Sequence, residues 1–198
     1  SLEGGVSRDT IKGLGAVEYL SGPRFRDLTG VSRARLDKLS LYVELLMRWQ
    51  ARINLVSPSS IQDVWSRHVF DSIQIYPHVL ERKATTLDLG SGAGFPGLVL
   101  AIMGVSNIVL IESNKKKCSF LKEVVRQTDS DAEVFVGRVQ EYGSAPPVKY
   151  ITSRALASLE GLLSMSYPFL HQAGKCLFLK GERYEEELTR SRKKWSMD

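Results

Sequence analysis

A short apolar strand pattern runs directly into a glycine-rich turn, and the whole segment reads LDLGSGAGFPG from Leu87 to Gly97. Glycines permit the tight bend because they adopt left-handed backbone conformations at little cost, and Pro96 is preset for the first turn of a helix. A strand, a glycine turn and a helix in this order aim unpaired backbone N–H groups at a ligand above the carboxyl ends of the strands. The segment therefore predicts an α/β domain that binds a nucleotide or a nucleoside.

Strand and helix patterns alternate through the second half of the chain. Five short β-type runs are predicted at Thr85–Leu89, Asn107–Ile111, Ala132–Val136, Val148–Thr152 and Lys175–Leu179. The helix-length segments are Pro96–Met103, Asn114–Gln127, Ser158–Tyr167 and Glu182–Lys194. Strands that alternate with helices form βαβ units, so we expect a parallel sheet with helices on both faces.

The first part of the chain has a helical pattern instead. From Arg33 to Leu55 the apolar residues recur with the period of an amphipathic helix whose other face is basic. A second helix pair is predicted after Pro58. We expect residues 1–82 to form a helical N-terminal region packed on an α/β core of residues 83–198.

Composition narrows the class of protein. The 198 residues are 43% hydrophobic and lack the run of about 20 apolar residues that crosses a bilayer, so no membrane partner is expected. The two cysteines, Cys118 and Cys176, form no CxxC motif or cysteine–histidine cluster, which predicts a reducing compartment, the cytoplasm, and no metal site. A net charge of +5 favours a polyanionic partner.

Two acidic residues help to choose the ligand. The turn also spells GxGxxG from Gly92, and Glu112 follows Gly94 by 18 residues, near the spacing of an acid that binds a ribose. Both an NAD-dependent oxidoreductase and a nucleoside-dependent methyltransferase fit these features. Asp88, two residues before Gly90, favours S-adenosylmethionine, because its carboxylate would attract the cationic amino group of that cofactor and repel a pyrophosphate.

Several segments together resemble the RsmG family, also called GidB, whose members are bacterial 16S rRNA guanine-N7 methyltransferases. Besides LDLGSGAGFPG they are RWQARINLVS (48–57), RHVFDS (67–72), GRVQE (137–141), TSRALASL (152–159) and LKG (179–181). The resemblance implies a class I methyltransferase (Rossmann-like) sheet in the order 3-2-1-4-5. It also implies S-adenosylmethionine as cofactor, S-adenosylhomocysteine as product, and 16S rRNA or the small ribosomal subunit as partner. Separately, we expect a monomer.

The residue patterns and the resemblance together give the expected site residues, and the resemblance implies Gly90, Phe95, Val139, Gln140 and Arg154 among them. Cofactor contacts are expected from Asp88, Gly90, Gly92, Phe95, Glu112, Val139, Gln140 and Arg154. Arg154 is the candidate on the acceptor side, and no catalytic base is assigned because guanine N7 already carries a free lone pair. His68 and Asp71 are expected to pair, and Lys115, Lys116 and Lys180 are candidate RNA contacts.

The chain departs from the family pattern at three places. Gln140 replaces the family's usual glutamate, and Leu156 replaces an aromatic residue. Only Ser196–Asp198 follow Trp195, so we expect either a truncated form or a sheet that lacks the antiparallel hairpin that usually ends a class I methyltransferase. A non-catalytic RNA-binding module therefore stays open beside the oxidoreductase as an alternative to the methyltransferase.

Overall fold

The structure is a computed structural model that describes residues 22–143, 146–154, 156–181 and 184–195. The predictions for residues 1–21, for the start of the last helix at Glu182 and for Ser196–Asp198 lie outside the described residues. Within the described part no helix is long and apolar enough to span a membrane.

The N-terminal region is helical, as the sequence predicts. Its elements are α1 (Gly22–Thr29), α2 (Arg33–Gln50), α3 (Pro58–Ile61), a π-helical turn (Trp65–Phe70), α4 (Asp71–Ile73) and a 3₁₀ turn (Tyr76–His78). These elements share one buried cluster with the first core helices, and Tyr42 Oη donates a 2.6 Å hydrogen bond to the carbonyl of Ala93 in the glycine turn. The helical region thus packs directly behind the turn.

Helix α2 ends earlier than the predicted Leu55. The side-chain oxygen of Gln50 accepts hydrogen bonds from the backbone N–H groups of Leu55 and Val56, at 3.0 and 3.1 Å, and its amide nitrogen donates to the carbonyl of Val56 at 2.9 Å. The chain therefore folds back on the end of the helix, although the apolar period continues past it.

The core is a five-stranded parallel sheet in the order β3-β2-β1-β4-β5 over the described residues. Its elements are β1 (Thr86–Leu89), α5 (Gly97–Ile102), β2 (Ile108–Glu112), α6 (Lys115–Thr128), β3 (Ala132–Val136), β4 (Val148–Arg154), α7 (Leu159–Ser166), β5 (Leu170–Leu179) and α8 (Tyr184–Ser191). The predicted strand order and fold class are confirmed. Every residue of the central strand β1 is buried, because helices cover both faces of the sheet.

Strand β5 is twice as long as the predicted Lys175–Leu179. The register with β4 shifts between Val148, paired with Leu170, and Tyr150, paired with Lys175, so residues 171–174 form an irregularity. This HQAG stretch is mostly exposed and lacks the apolar alternation of a strand. The sheet ends at β5 in the described residues, where no antiparallel strand follows.

Candidate functional site

A cleft of about 1310 Å³ opens where β1, β2 and β4 end. Its volume exceeds the 300–1,000 Å³ typical of a small-molecule site, which leaves space for a second ligand beside a nucleoside. Eight of the predicted site residues line it: Gly90, Gly92, Phe95, Glu112, Val139, Gln140, Arg154 and Lys180. The opposite wall comes from the N-terminal region, including Ser57, Ser60 and His68.

The glycine turn is shaped by residues with positive φ. Gly90 and Gly92 have φ values of +64° and +57°, in the left-handed region that favours glycine. A Cβ added to Gly92 would meet only the carbonyl oxygen of Gly90, at 3.8 Å, so the backbone there borders open space in the cleft wall. This surface can be approached closely by a ligand.

Glu112 joins the turn to the end of β2. Its Oε2 accepts a 2.9 Å hydrogen bond from the N–H of Gly92, and its Oε1 accepts a 2.7 Å bond from the N–H of Asn114. Each carboxylate oxygen has capacity for a further bond, so the group can also accept hydrogen bonds from the two hydroxyls of a ribose.

Asp88 lies behind the cleft wall and is not part of it. Its side chain is fully buried, Oδ1 accepts a 2.6 Å hydrogen bond from Thr152, and Oδ2 is buried without a hydrogen-bond partner. A Cβ on Gly97 would lie 2.8 Å from that second oxygen. The direct contact with a cofactor amino group that the sequence suggested does not follow from this geometry, because the carboxylate faces the start of α5.

Val139 and Gln140 follow β3 in a 3₁₀ turn (Val139–Glu141) that borders the cleft. The carboxylate of Glu141 fixes this turn by accepting a 2.7 Å hydrogen bond from the N–H of Arg138. Val139 is buried and Gln140 is exposed. The turn therefore offers an apolar side chain and a polar one to a planar ring such as adenine.

Arg154 and Phe95 meet His68 at the junction with the N-terminal region. The guanidinium lies 4.9 Å from the centroid of the Phe95 ring, and the His68 ring stacks on the same phenyl at 5.0 Å. Nδ1 of His68 contacts the guanidinium, and Nε2 lies 2.9 Å from Ser60 Oγ. Both ring nitrogens are thus engaged, so the pair predicted between His68 and Asp71 is replaced by bonds to Ser60 and Arg154.

Comparison with known proteins identifies the family. The family profile described as rRNA small subunit methyltransferase G (GidB) matches residues 35–198. This chain belongs to that family.

Curated relatives and a solved structure agree with the assignment. "Ribosomal RNA small subunit methyltransferase G" of Paramagnetospirillum magneticum is 48% identical over 85% of this chain and 82% of its own length. The protein of the same name from Rhodospirillum centenum is 47% identical over 87% and 80%. The ribosomal protein L11 methylase of Lactobacillus delbrueckii subsp. bulgaricus is 14% identical over 63% and 67%, with a TM-score of 0.51, and supports the fold alone.

The three predicted RNA lysines of this GidB-family chain lie in different settings. Lys180 is only 14% exposed, because its ammonium forms an ion pair with Glu187 at 2.7 Å and donates to the carbonyl of Ala157 at 2.8 Å. Lys115 and Lys116 are exposed in the first turn of α6 and lie off the cleft wall, which Lys117 joins instead. Lys180 therefore ties the loop after β4 to Glu187, and Lys115 and Lys116 stay candidate RNA contacts on the surface.

Two further members of the cleft wall, Ser60 and Leu156, were not predicted as site residues from the sequence of this family member. Ser60 bonds His68, and Leu156 covers Gly90 so closely that a Cβ there would lie 2.5 Å from Leu156 Cδ1. The only signals for them were the serine cluster after Pro58 and the unusual leucine in the TSRALASL segment.

Proposed function

We propose that this protein transfers a methyl group from S-adenosylmethionine to N7 of a guanine in 16S rRNA of the small ribosomal subunit. As a member of the rRNA small subunit methyltransferase G family, the chain is an rRNA methyltransferase. The observation that carries the finer assignment is the cleft at the carboxyl ends of the strands, where the glycine turn, Glu112 and Arg154 share one wall. We place the reaction in the cytoplasm, with a monomer as the active form.

The described residues fit adenosylmethionine. Glu112 would accept the ribose hydroxyls, and the 3₁₀ turn at Val139 and Gln140 would border the adenine. The turn from Gly90 to Phe95, with open space at Gly92, would receive the methionine part. Asp88 would act from behind this wall by holding Thr152 and the start of α5 in place. When bound, the cofactor supplies an electrophilic methyl group on a sulfonium centre.

The chain's own contribution is positioning. Guanine N7 carries a lone pair at neutral pH, so no protein group has to remove a proton before attack. Alignment of two bound reactants can lower the barrier by about 7–11 kcal/mol in favourable cases. Arg154 is the acceptor-side residue in this proposal, because it lies at the end of β4 with its guanidinium over Phe95 inside the cleft.

The RNA side of the proposal relies on charge. Three consecutive lysines, Lys115 to Lys117, occupy the first turn of α6, and no acidic residue balances them there. Cations at a helix N-terminus oppose the helix dipole, and a phosphate bound beside them would relieve this repulsion. Lys115 and Lys116 are the proposed phosphate contacts, while Lys180 acts through the loop that it ties to Glu187.

Calorimetry and a transfer assay test the proposal. We expect adenosylmethionine and adenosylhomocysteine to bind this chain and NAD to give no heat. With methyl-labelled adenosylmethionine, label should appear as 7-methylguanine in small ribosomal subunits or in 16S rRNA, and a naked short hairpin should be a poorer acceptor. Binding of NAD alone would support the oxidoreductase, and RNA retention without transfer would support the non-catalytic module.

A further inference from the structure

His68 links the N-terminal helical region to the catalytic edge of the sheet. It lies in the π-helical turn Trp65–Phe70, is 8% exposed, and stacks on Phe95 with an angle of 23° between the rings. One ring nitrogen faces Ser60 and the other faces Arg154. A single side chain therefore touches the outer wall of the cleft, the glycine turn and the arginine of β4.

The hydrogen-bond network fixes which nitrogen of His68 carries the proton. The hydroxyl of Ser60 donates its one proton to the carbonyl of Ser57 at 3.0 Å, and Ser60 Oγ also accepts from the hydroxyl of Ser57 at 2.8 Å. A guanidinium can only donate, so Nδ1 of His68, which contacts Arg154, is the unprotonated nitrogen, and in the neutral ring Nε2–H then donates to Ser60 Oγ. Nδ1 then carries a lone pair, which accepts a hydrogen bond from the Arg154 guanidinium.

Burial and the surrounding cationic side chains keep this imidazole neutral. Burial lowers the pKa of His68 to about 3, and the cationic side chains of Arg154 and Arg67 act in the same direction. An imidazolium would have no lone pair on Nδ1 and would repel the guanidinium. His68 thus stays an acceptor for Arg154 throughout the physiological pH range.

Arg154 depends on such fixed acceptors for its orientation. Its guanidinium also donates to the backbone carbonyl of Arg67 at 3.4 Å, a long bond, and lies over the face of Phe95. A guanidinium always keeps its charge, and a long side chain loses rotamer freedom when it is held in one place. The hydrogen bond to His68 Nδ1 is therefore one of the contacts that set the direction of the fork, and the charge of Asp71 also acts on the guanidinium.

We infer that His68 is a positioning residue for methyl transfer: its neutral Nδ1 holds the Arg154 guanidinium in the cleft, while its Nε2–H donates to Ser60. The inference rests on the proposed function for its catalytic consequence. The hydrogen bond from Arg154 to Nδ1 of an imidazole that is protonated at Nε2 does not depend on that function.

Two amide substitutions of similar shape test the roles of the two ring nitrogens one at a time. The side-chain amide of H68N stands near the position of Nδ1 and can accept from Arg154, whereas that of H68Q stands near Nε2 and can bond only Ser60. Both variants lose the imidazole ring that stacks on Phe95. We expect H68Q to lower kcat by about 100-fold, the scale of a misplaced reacting geometry, with little change in KM for the cofactor. H68N should recover most of that loss, and equal losses would overturn the inference.

A double-mutant cycle tests whether His68 acts through Arg154. If it does, H68Q should cost nothing further in an R154A background, because residues that act as one unit are not additive. If H68Q lowers kcat by the same factor in the R154A background as in the wild type, the inference is overturned. Thermal unfolding of each variant checks that it is folded, and only folded variants enter the cycle.

Imidazole ¹⁵N NMR of the wild-type chain gives a readout that does not depend on activity. We expect His68 to show a protonated Nε2 and a hydrogen-bonded, unprotonated Nδ1, and R154A to remove the hydrogen-bond shift of Nδ1. A protonated Nδ1 would refute the positioning role. If the wild type transfers no methyl group while the NMR pattern is as expected, the proposed function fails and the Arg154–His68 bond remains.

Discussion

Thr152 donates a 2.6 Å hydrogen bond to Asp88 Oδ1 from the neighbouring strand, where the two residues are register partners. Both side chains are fully buried, and Asp88 Oδ2 has no hydrogen-bond partner. Burial raises the pKa of Asp88 to about 6, although the Thr152 hydroxyl acts in the opposite direction. The folded protein therefore holds a proton on Asp88 at pH values where the unfolded chain has released it.

This difference predicts a pH-dependent stability that D88N removes. Between the unfolded pKa of 3.8 and the folded pKa of about 6 the native state binds more protons, so the free energy of unfolding falls as pH rises. The D88N variant should gain about 2 kcal/mol relative to wild type between pH 4 and pH 7. Urea unfolding at several pH values measures this gain. His68 gives an opposite slope, but it is present in both proteins and cancels.

Two outcomes decide the D88N prediction. If the difference in the free energy of unfolding between D88N and the wild type stays constant with pH, Asp88 has an ordinary pKa. The T152V variant serves as a second check, because loss of the hydroxyl removes a stabilising bond to the ionised carboxylate. Its stability should fall more steeply with pH than that of the wild type.

Local sequence patterns were sufficient for most of the fold. The alternation of β-type runs and helical segments predicted all five strands, because each parallel strand is bounded by polar turns, whereas the confirmed strand order was expected from the family resemblance. The predicted ends of two elements were wrong where the local sequence pattern did not determine the structure. The amide of Gln50 ends α2, and the exposed HQAG stretch continues β5 without any apolar alternation.

The sequence predicted more of the cleft wall that the glycine turn forms than of the opposite wall, which comes from the N-terminal region. Gly90, Gly92 and Glu112 are close in the fold because the ends of adjacent parallel strands meet, a relation that spacing reveals. The contact between His68 and Arg154 joins residues 86 positions apart, and no local period encodes it. The burial of Asp88 likewise depends on how α5 packs over it, since Gly97 sits against its carboxylate.

A methyl group at Gly92 should block the cofactor. Gly92 has φ +57° and borders open space in the cleft, so G92A introduces both backbone strain and a side chain into the wall. We expect adenosylmethionine affinity to fall by about tenfold or more. The matched control is G143A, because Gly143 also has positive φ, at +80°, and has nothing within 4 Å of an added Cβ.

Comparison of G92A with G143A separates the effect of backbone strain from the effect of a methyl group in the cofactor site. Each should lose about 1–2 kcal/mol of stability, the cost of a left-handed conformation in a residue with a Cβ. Only G92A should weaken binding in calorimetry. If G143A weakens it to the same extent, the effect comes from general destabilisation and Gly92 does not border the cofactor.

Replacement of Glu112 by glutamine should weaken cofactor binding. The carboxylate accepts from Gly92 and Asn114 through separate oxygens, and an amide can accept from only one of them. Hydrogen bonds to charged groups contribute about 1.5–3 kcal/mol, so E112Q should bind adenosylmethionine about 10- to 100-fold more weakly. E81Q is the control, since Glu81 pairs with Lys149 before β1, at the other end of the strands. Unchanged affinity in E112Q would remove Glu112 from the site.

Neutralising the lysines at the start of α6 should change RNA binding without affecting the cofactor. Lys115 and Lys116 are exposed and lie off the cleft wall, so the K115Q/K116Q variant should bind adenosylmethionine normally. If both lysines neutralise phosphates, the slope of log K against log salt for 16S rRNA should decrease by about 0.7–0.9 for each lysine replaced. Filter binding across a salt series measures this slope. K83Q removes an exposed charge before β1, away from the cleft, and should leave the slope unchanged. If K83Q decreases the slope as much as each lysine replaced in K115Q/K116Q does, RNA binding depends only on the net charge of the protein.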